Sequence, residues 1–158
     1  MLSRSIILLI FLLSPVIANA APKPYNIELG KATLEDVKKE FPIMESLPFG
    51  KGTRYFLNHS YFNAVWCDLD GVVQGMDFNE FIYSFEGIIE SLVENGKYKL
   101  LGQVPTNISY LKQNARLKAG DYDIIVLDDT GEGFKTIYYM NEEFRKALIA
   151  KEYIPYFE

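Results

Sequence analysis

Cysteine is almost absent. Cys67 is the single one in 158 residues, so no intramolecular disulfide can staple the fold and burial must hold it together. Histidine is as scarce: His59 stands alone. That excludes multi-histidine zinc sites, and a Ser-His-Asp triad would hang on one residue in an expected loop with no Gly-x-Ser-x-Gly elbow nearby. Gly131 and Gly133 lack the Lys and the following helix that make a glycine-rich loop cradle phosphate. Basic residues do not gather either. No cluster is denser than Lys38-Lys39, and the net charge is −5. Nucleic acid and anionic membrane surfaces, which are bound through concentrated cations, are therefore not expected partners.

Aromatic residues are what the chain has in excess. Eleven Phe, eleven Tyr and one Trp make up 15% of it, enough large side chains to fill a core without help from cross-links. A hydrophobic fraction of 49% with 23% charge belongs to an ordinary folded domain and not to a disordered chain.

The first twenty residues read as a secretory leader. Arg4 supplies the positive end, the apolar run 6–13 follows, Ser14-Pro15 breaks it, and Ala18-Asn19-Ala20 is a small-residue cleavage site. The run is far short of the roughly 20 residues that span a bilayer, and no second run follows. Cleavage leaves 138 residues, 21–158, with a net charge of −6 because Arg4 is lost. No cysteine adjoins the cleavage site, so no lipid anchor is expected. An exported domain with one cysteine suits a bacterial periplasm. Cys67 itself lies in the apolar stretch Ala64-Val65-Trp66-Cys67 and reads as a small buried hydrophobe.

The rest of the chain alternates helix with strands. Thr33 and Asp36 have capping-box spacing, with Leu34, Val37 and Phe41 on one helical face until Pro42 stops it. Segment 48–52 reads as a loop, and 53–58, 62–69 and 72–78 read as strands, the last two joined by the Asp70-Gly71 turn. The pattern then restarts. Phe85, Ile88, Ile89, Leu92 and Val93 form a second helical stripe ending at Asn95-Gly96. Strands are predicted over 98–103, 115–119, 122–127 and 134–140, and Asn141 caps a last helix presenting Phe144, Ala147 and Leu148. The stretches from Asp68 to Phe81 and from Leu127 to Phe144 can be laid over each other, which suggests duplication. The predicted fold is α+β: one domain over 21–158, made of two helix-plus-antiparallel-meander units at about 25–81 and 82–158, their strands joined in one sheet.

The stretch Ala64-Val65-Trp66-Cys67-Asp68-Leu69-Asp70-Gly71-Val72 resembles the first motif of the haloacid dehalogenase superfamily of phosphatases. The resemblance implies Asp68 as nucleophile, Asp70 as general acid/base, Thr106 as the phosphate-binding hydroxyl, and Asp128 and Asp129 as the distal acids holding Mg²⁺. Spacing opposes it. Between Thr106 and Asp128 that fold needs parallel crossovers of a dozen residues or more each, and 122–127 is already a strand. The phosphatase is the enzymatic alternative, with Asp70-Gly71 otherwise an ordinary turn.

The segment Ile27-Glu28-Leu29-Gly30-Lys31-Ala32-Thr33-Leu34-Glu35-Asp36-Val37 resembles the opening of small exported proteins of the SmpA/OmlA type. The repeated helix and meander is similar to the tandem architecture of β-lactamase inhibitor protein. These resemblances imply a non-enzymatic, cofactor-free envelope domain that binds a protein. Where the SmpA/OmlA type usually begins with a lipidated Cys, this chain has Ala21. If helices cover one side of the sheet, Trp66 and Tyr139 become the expected partner-binding anchors on the other. A periplasmic inhibitor or immunity protein is a further alternative with the same fold.

Overall fold

Three short polar side chains start the three helices. The computed structural model describes residues 20–59, 62–131 and 133–158; the expected leader, apart from Ala20, lies outside them. Thr33 and Asp36 form the predicted capping box at the start of α1 (Leu34–Glu40): the Thr33 hydroxyl accepts the Asp36 N–H at 3.3 Å, and the Asp36 carboxylate accepts the Thr33 N–H at 3.0 Å. Ser84 accepts the Gly87 N–H to open α2 (Phe85–Glu94), and Asn141 accepts the Phe144 N–H to open α3 (Glu142–Ala150).

Between the helices run eight strands: β1 (Ile43–Phe49), β2 (Gly52–Leu57), β3 (Phe62–Cys67), β4 (Val73–Glu80), β5 (Lys99–Gly102), β6 (Leu111–Ala119), β7 (Tyr122–Asp129) and β8 (Lys135–Met140). They form one antiparallel sheet in the order β1-β2-β3-β4-β8-β7-β6-β5. The class is α+β, as predicted. The first strand departs from the sequence reading, which made 48–52 a loop. Pro48 instead pairs with Thr53 inside β1. A proline is tolerated there because an edge strand has one side with no partner to receive an N–H. β6 also starts earlier than predicted, at Leu111, with a bulge before Gln113.

Both faces of this sheet are covered. On one face a row runs across seven strands through Tyr55, Val65, Met76, Tyr139, Ile124, Leu117 and Leu100, each opposite the next. Val37 of α1 and Phe85 and Ile88 of α2 belong to the same cluster. The adjacent row on the other face passes through Arg54, Trp66, Gly75, Met140, Asp123 and Lys118. Phe144, Ala147 and Leu148 of α3, with Ile154 and Phe157 of the tail, cover that face. β7 is buried from Tyr122 to Asp128 on both sides, which is why 122–127 reads as a continuous apolar run and not an alternating one.

Gly75 makes the second face possible. A Cβ there would overlap the Phe144 ring; without one, Phe144 lies flat on Trp66, centroids 5.4 Å apart and planes within 9°. The indole N–H donates to the Phe49 carbonyl at 2.7 Å, so Trp66 is buried with its one polar atom satisfied. Gly75→Ala is expected to destabilise the fold by about 1–3 kcal/mol through overpacking. Phe144→Ala should cost about 3–5 kcal/mol. In the Phe144→Ala background the Gly75 substitution should cost clearly less but not nothing, because its Cβ would still lie 2.9 Å from the Tyr139 carbonyl oxygen; a double-mutant cycle by urea unfolding measures the coupling.

Candidate functional site

The two aromatics expected to face a partner are both buried, on opposite faces. Trp66 is 1% exposed under α3, and Tyr139 is 4% exposed beneath the other layer, stacked on Phe78 and edge-on to Tyr98. The expectation of an open sheet face is thus corrected. The helix capped by Asn141 folds back over the side that the first two helices leave free.

The acidic motif is also taken apart by the topology. The sheet is antiparallel, so no parallel crossover brings its acids together. Asp68 lies just past the Cys67–Val73 end of the β3–β4 pair, whereas Asp128 stands in the Lys135–Glu80 row at the opposite end. At about 3.3 Å per residue, the seven steps of β4 between those rows separate them by roughly 23 Å. Asp68 shapes its own turn: it accepts the Asp70 and Val72 N–H groups at 3.0 and 2.9 Å and the Gln74 amide at 2.9 Å. Asp70 is exposed in that turn. Asp128 accepts the Gln113 amide at 2.9 Å, and Asp129 accepts the Gly131 N–H at 2.8 Å. Thr106, the expected phosphate ligand, accepts the Ile108 N–H at 3.0 Å in a surface loop. Among the described residues no three His, Cys, Asp or Glu are placed to hold a metal ion.

Cys67 is buried as read, and burial pushes its thiol up to about 12, with the nearby Asp68 charge acting in the same direction. His59 is exposed, with its ring edge-on to Phe41 at 5.6 Å. A buried ionisable pair lies under the sheet's second face. Arg54 Nη2 meets Asp77 Oδ1 at 2.8 Å, beneath Phe49, Phe56 and Tyr153. Burial raises the Asp77 carboxyl and also the neighbouring Tyr138 hydroxyl, while the Arg54 guanidinium pulls both down.

A wide groove of about 1130 Å³ lies elsewhere, between the β5–β6 loop and the C-terminal tail. One wall exists because Gly102, at φ 104°, turns the chain off the end of β5 in a conformation that favours glycine. Buried Asn114 then catches Val104 with both ends of its amide: Oδ1 accepts the Val104 N–H at 2.8 Å, and Nδ2 donates to its carbonyl at 3.0 Å. The side chain stands in for a strand partner and bends the segment over the second face. The other wall is the tail after α3, anchored by buried Ile154 and Phe157. Arg116 faces the groove. Its guanidinium pairs with Asp123 at 2.8 Å, lies 4.4 Å from the Phe157 ring centroid and donates to the Glu158 carbonyl at 2.6 Å. Asp123 is shared with Lys118 at 3.2 Å and Arg145 at 3.4 Å, so one buried carboxylate serves three cations.

Leu101, Tyr110 and Tyr156 line this groove while 45%, 46% and 68% exposed. Such walls can grip apolar and aromatic side chains, and the loop backbone offers hydrogen bonds. Sequence reading missed these residues. The signal was there in the adjacent Leu100-Leu101 of a short strand and in the aromatic tail, but the pairing of loop with tail is a long-range contact. The chain matches no family model, and neither a curated protein nor a solved structure matches it.

The state of Cys67 is directly testable. The native protein at pH 8 should resist a thiol reagent such as DTNB, with labelling appearing only as urea unfolds it. The folded thiol stays neutral while an unfolded one ionises. Its contribution to stability is therefore full below the ordinary thiol range and lost between there and about 12. Cys67→Ala should flatten that alkaline part of the urea-midpoint profile.

Proposed function

We propose that the mature chain is an exported, non-enzymatic protein-binding domain of the bacterial envelope, built of two tandem units that share one sheet. The leader-like opening and the SmpA/OmlA-like segment at 27–37 support export to the envelope. The tandem reading rests on the element order: α1 then β1–β4, α2 then β5–β8, with α3 added. It gains from Arg54 on β2 and Arg116 on β6, second strands of their units, which both lie beside an aromatic ring and pair with a buried Asp.

The observation that carries the binding reading is the groove itself, where exposed Leu101, Tyr110 and Tyr156 converge beside a free strand edge. Large side chains left exposed around a concavity cost solubility unless something covers them. An inhibitor or immunity role would use the same surface, with an exported enzyme as the partner. The test compares the mature protein with a Tyr110→Asp/Tyr156→Asp variant in capture from an envelope extract. A specific partner should be retained by the first and weakened about 30-fold or more in the second, as for interface aromatics whose loss costs ~2 kcal/mol. Mg²⁺-dependent phosphatase turnover abolished by Asp68→Asn would overturn the reading.

A further inference from the structure

The two edges of the sheet are built differently. β1 carries Pro48 and a bulge between Ile43 and Glu45, both devices that discourage an incoming strand. β5, of four residues, has its own register break between Leu100 and Gly102 but no proline, and it pairs only with β6. Its side chains are poorly covered: Leu100 is 46% and Leu101 is 45% exposed. Leu100 stands opposite Leu117 in the ladder, and Leu101, at the register break, joins the groove. Lys99 shares the groove face with Leu101 and stands directly opposite Lys118 in the ladder. Like charges across a strand pair repel. Lys118 is offset by Asp123, while Lys99 and the preceding Lys97 have no ion pair among the described residues.

We propose that the free edge of β5 takes an extended acidic–apolar peptide segment of a partner protein as a ninth strand, with an acid facing Lys99 and apolar side chains facing Leu100 and Leu101. This rests on the protein-binding reading of the groove and adds the chemistry of the partner. Backbone donors and acceptors of the edge supply hydrogen bonds, and alternate side chains reach the groove on one face and the α2 side on the other. Lysine on an edge is commonly a guard against pairing. Here it guards selectively: two copies of β5 paired antiparallel about Lys99 would set the two Lys99 side chains against each other, whereas an acidic strand neutralises Lys99. The charge on the edge thus favours a partner segment over a second copy.

The experiment uses a fluorescein-labelled synthetic peptide with the core Tyr-Val-Glu, which in antiparallel pairing sets Tyr against Leu101, Val against Leu100 and Glu against Lys99. Anisotropy is measured with the mature protein. The peptide should bind saturably. Changing its Glu to Lys, or making Lys99→Glu in the protein, should each weaken it about fivefold, the scale of a cross-strand charge pair. Combining the two changes should restore affinity. Methylating the backbone nitrogens on the edge-facing side should weaken binding about tenfold by removing a strand hydrogen bond. Lys99 is exposed and unpaired, so its variant should keep the wild-type circular dichroism, with a urea midpoint no lower than that of the wild type because Glu would face Lys118. Absent binding, binding indifferent to N-methylation or to the charge swap, or a wild-type dimer in sedimentation that Lys99→Glu alters would overturn the proposal. Envelope capture that still depends on Tyr110 and Tyr156 would then leave the broader reading standing, and its loss would remove both.

Discussion

Phe144 lying flat on Trp66 over the empty side of Gly75 is the contact on which the molecule turns. A sheet with apolar side chains on both faces must cover both, or expose a row of large hydrophobes. α1 and α2 cover one face. The second is closed only because Gly75 leaves a slot between Trp66 and Met140 into which the last helix sets an aromatic ring. From that seat follow the burial of Trp66, the path of the chain after α3, and the docking of Ile154 and Phe157 that makes one wall of the groove.

Charge is handled unevenly under this second layer. On the β1 side, Arg54 and Asp77 form a single buried pair roofed by rings. Such a pair is costly to create and costlier to break, because either partner alone is a buried charge. On the β5 side, Asp123 gathers Arg116, Lys118 and Arg145, an arrangement with more positive than negative charge close to the groove. The asymmetry matches that of the edges. Both edge strands carry a register break, but the β1 side adds a proline, while the β5 side is short, apolar and carries unpaired lysine. With no disulfide, local order here depends on packing and side-chain clamps such as Asn114 on Val104.

Much of the fold was legible in the chain. Local chemistry marks Thr33 and Asn141 as helix starts, because a cap needs only a side-chain oxygen and N–H groups three residues on. The restart of the pattern near residue 85 is equally local, as are the strands 53–58 and 122–127. β1 escaped because Pro48 looks like punctuation until it is known to lie at an edge, and edge position is a property of the whole sheet. Asp68-Leu69-Asp70-Gly71 invites comparison with a phosphatase motif for a related reason. A strand ending in acids is common to a parallel catalytic sheet and an antiparallel hairpin, and only strand direction separates them. The candidate site was the least legible part, since a loop at 103–110 and a tail at 151–158 meet through no local pattern.

The sequence by itself determined the α+β class, the helix starts, the burial of Cys67 and the reliance on aromatic packing without cross-links, all consequences of residue type and short spacing. Tertiary structure alone decided that Trp66 and Tyr139 lie inside on opposite faces, that Asp68 and Asp128 stand at opposite ends of the sheet, and that exposed Leu101, Tyr110 and Tyr156 meet in one groove beside β5. The reason is physical: which face of a sheet is open depends on where the last helix packs, and that is settled by the fit of one ring over one glycine, far apart in the chain.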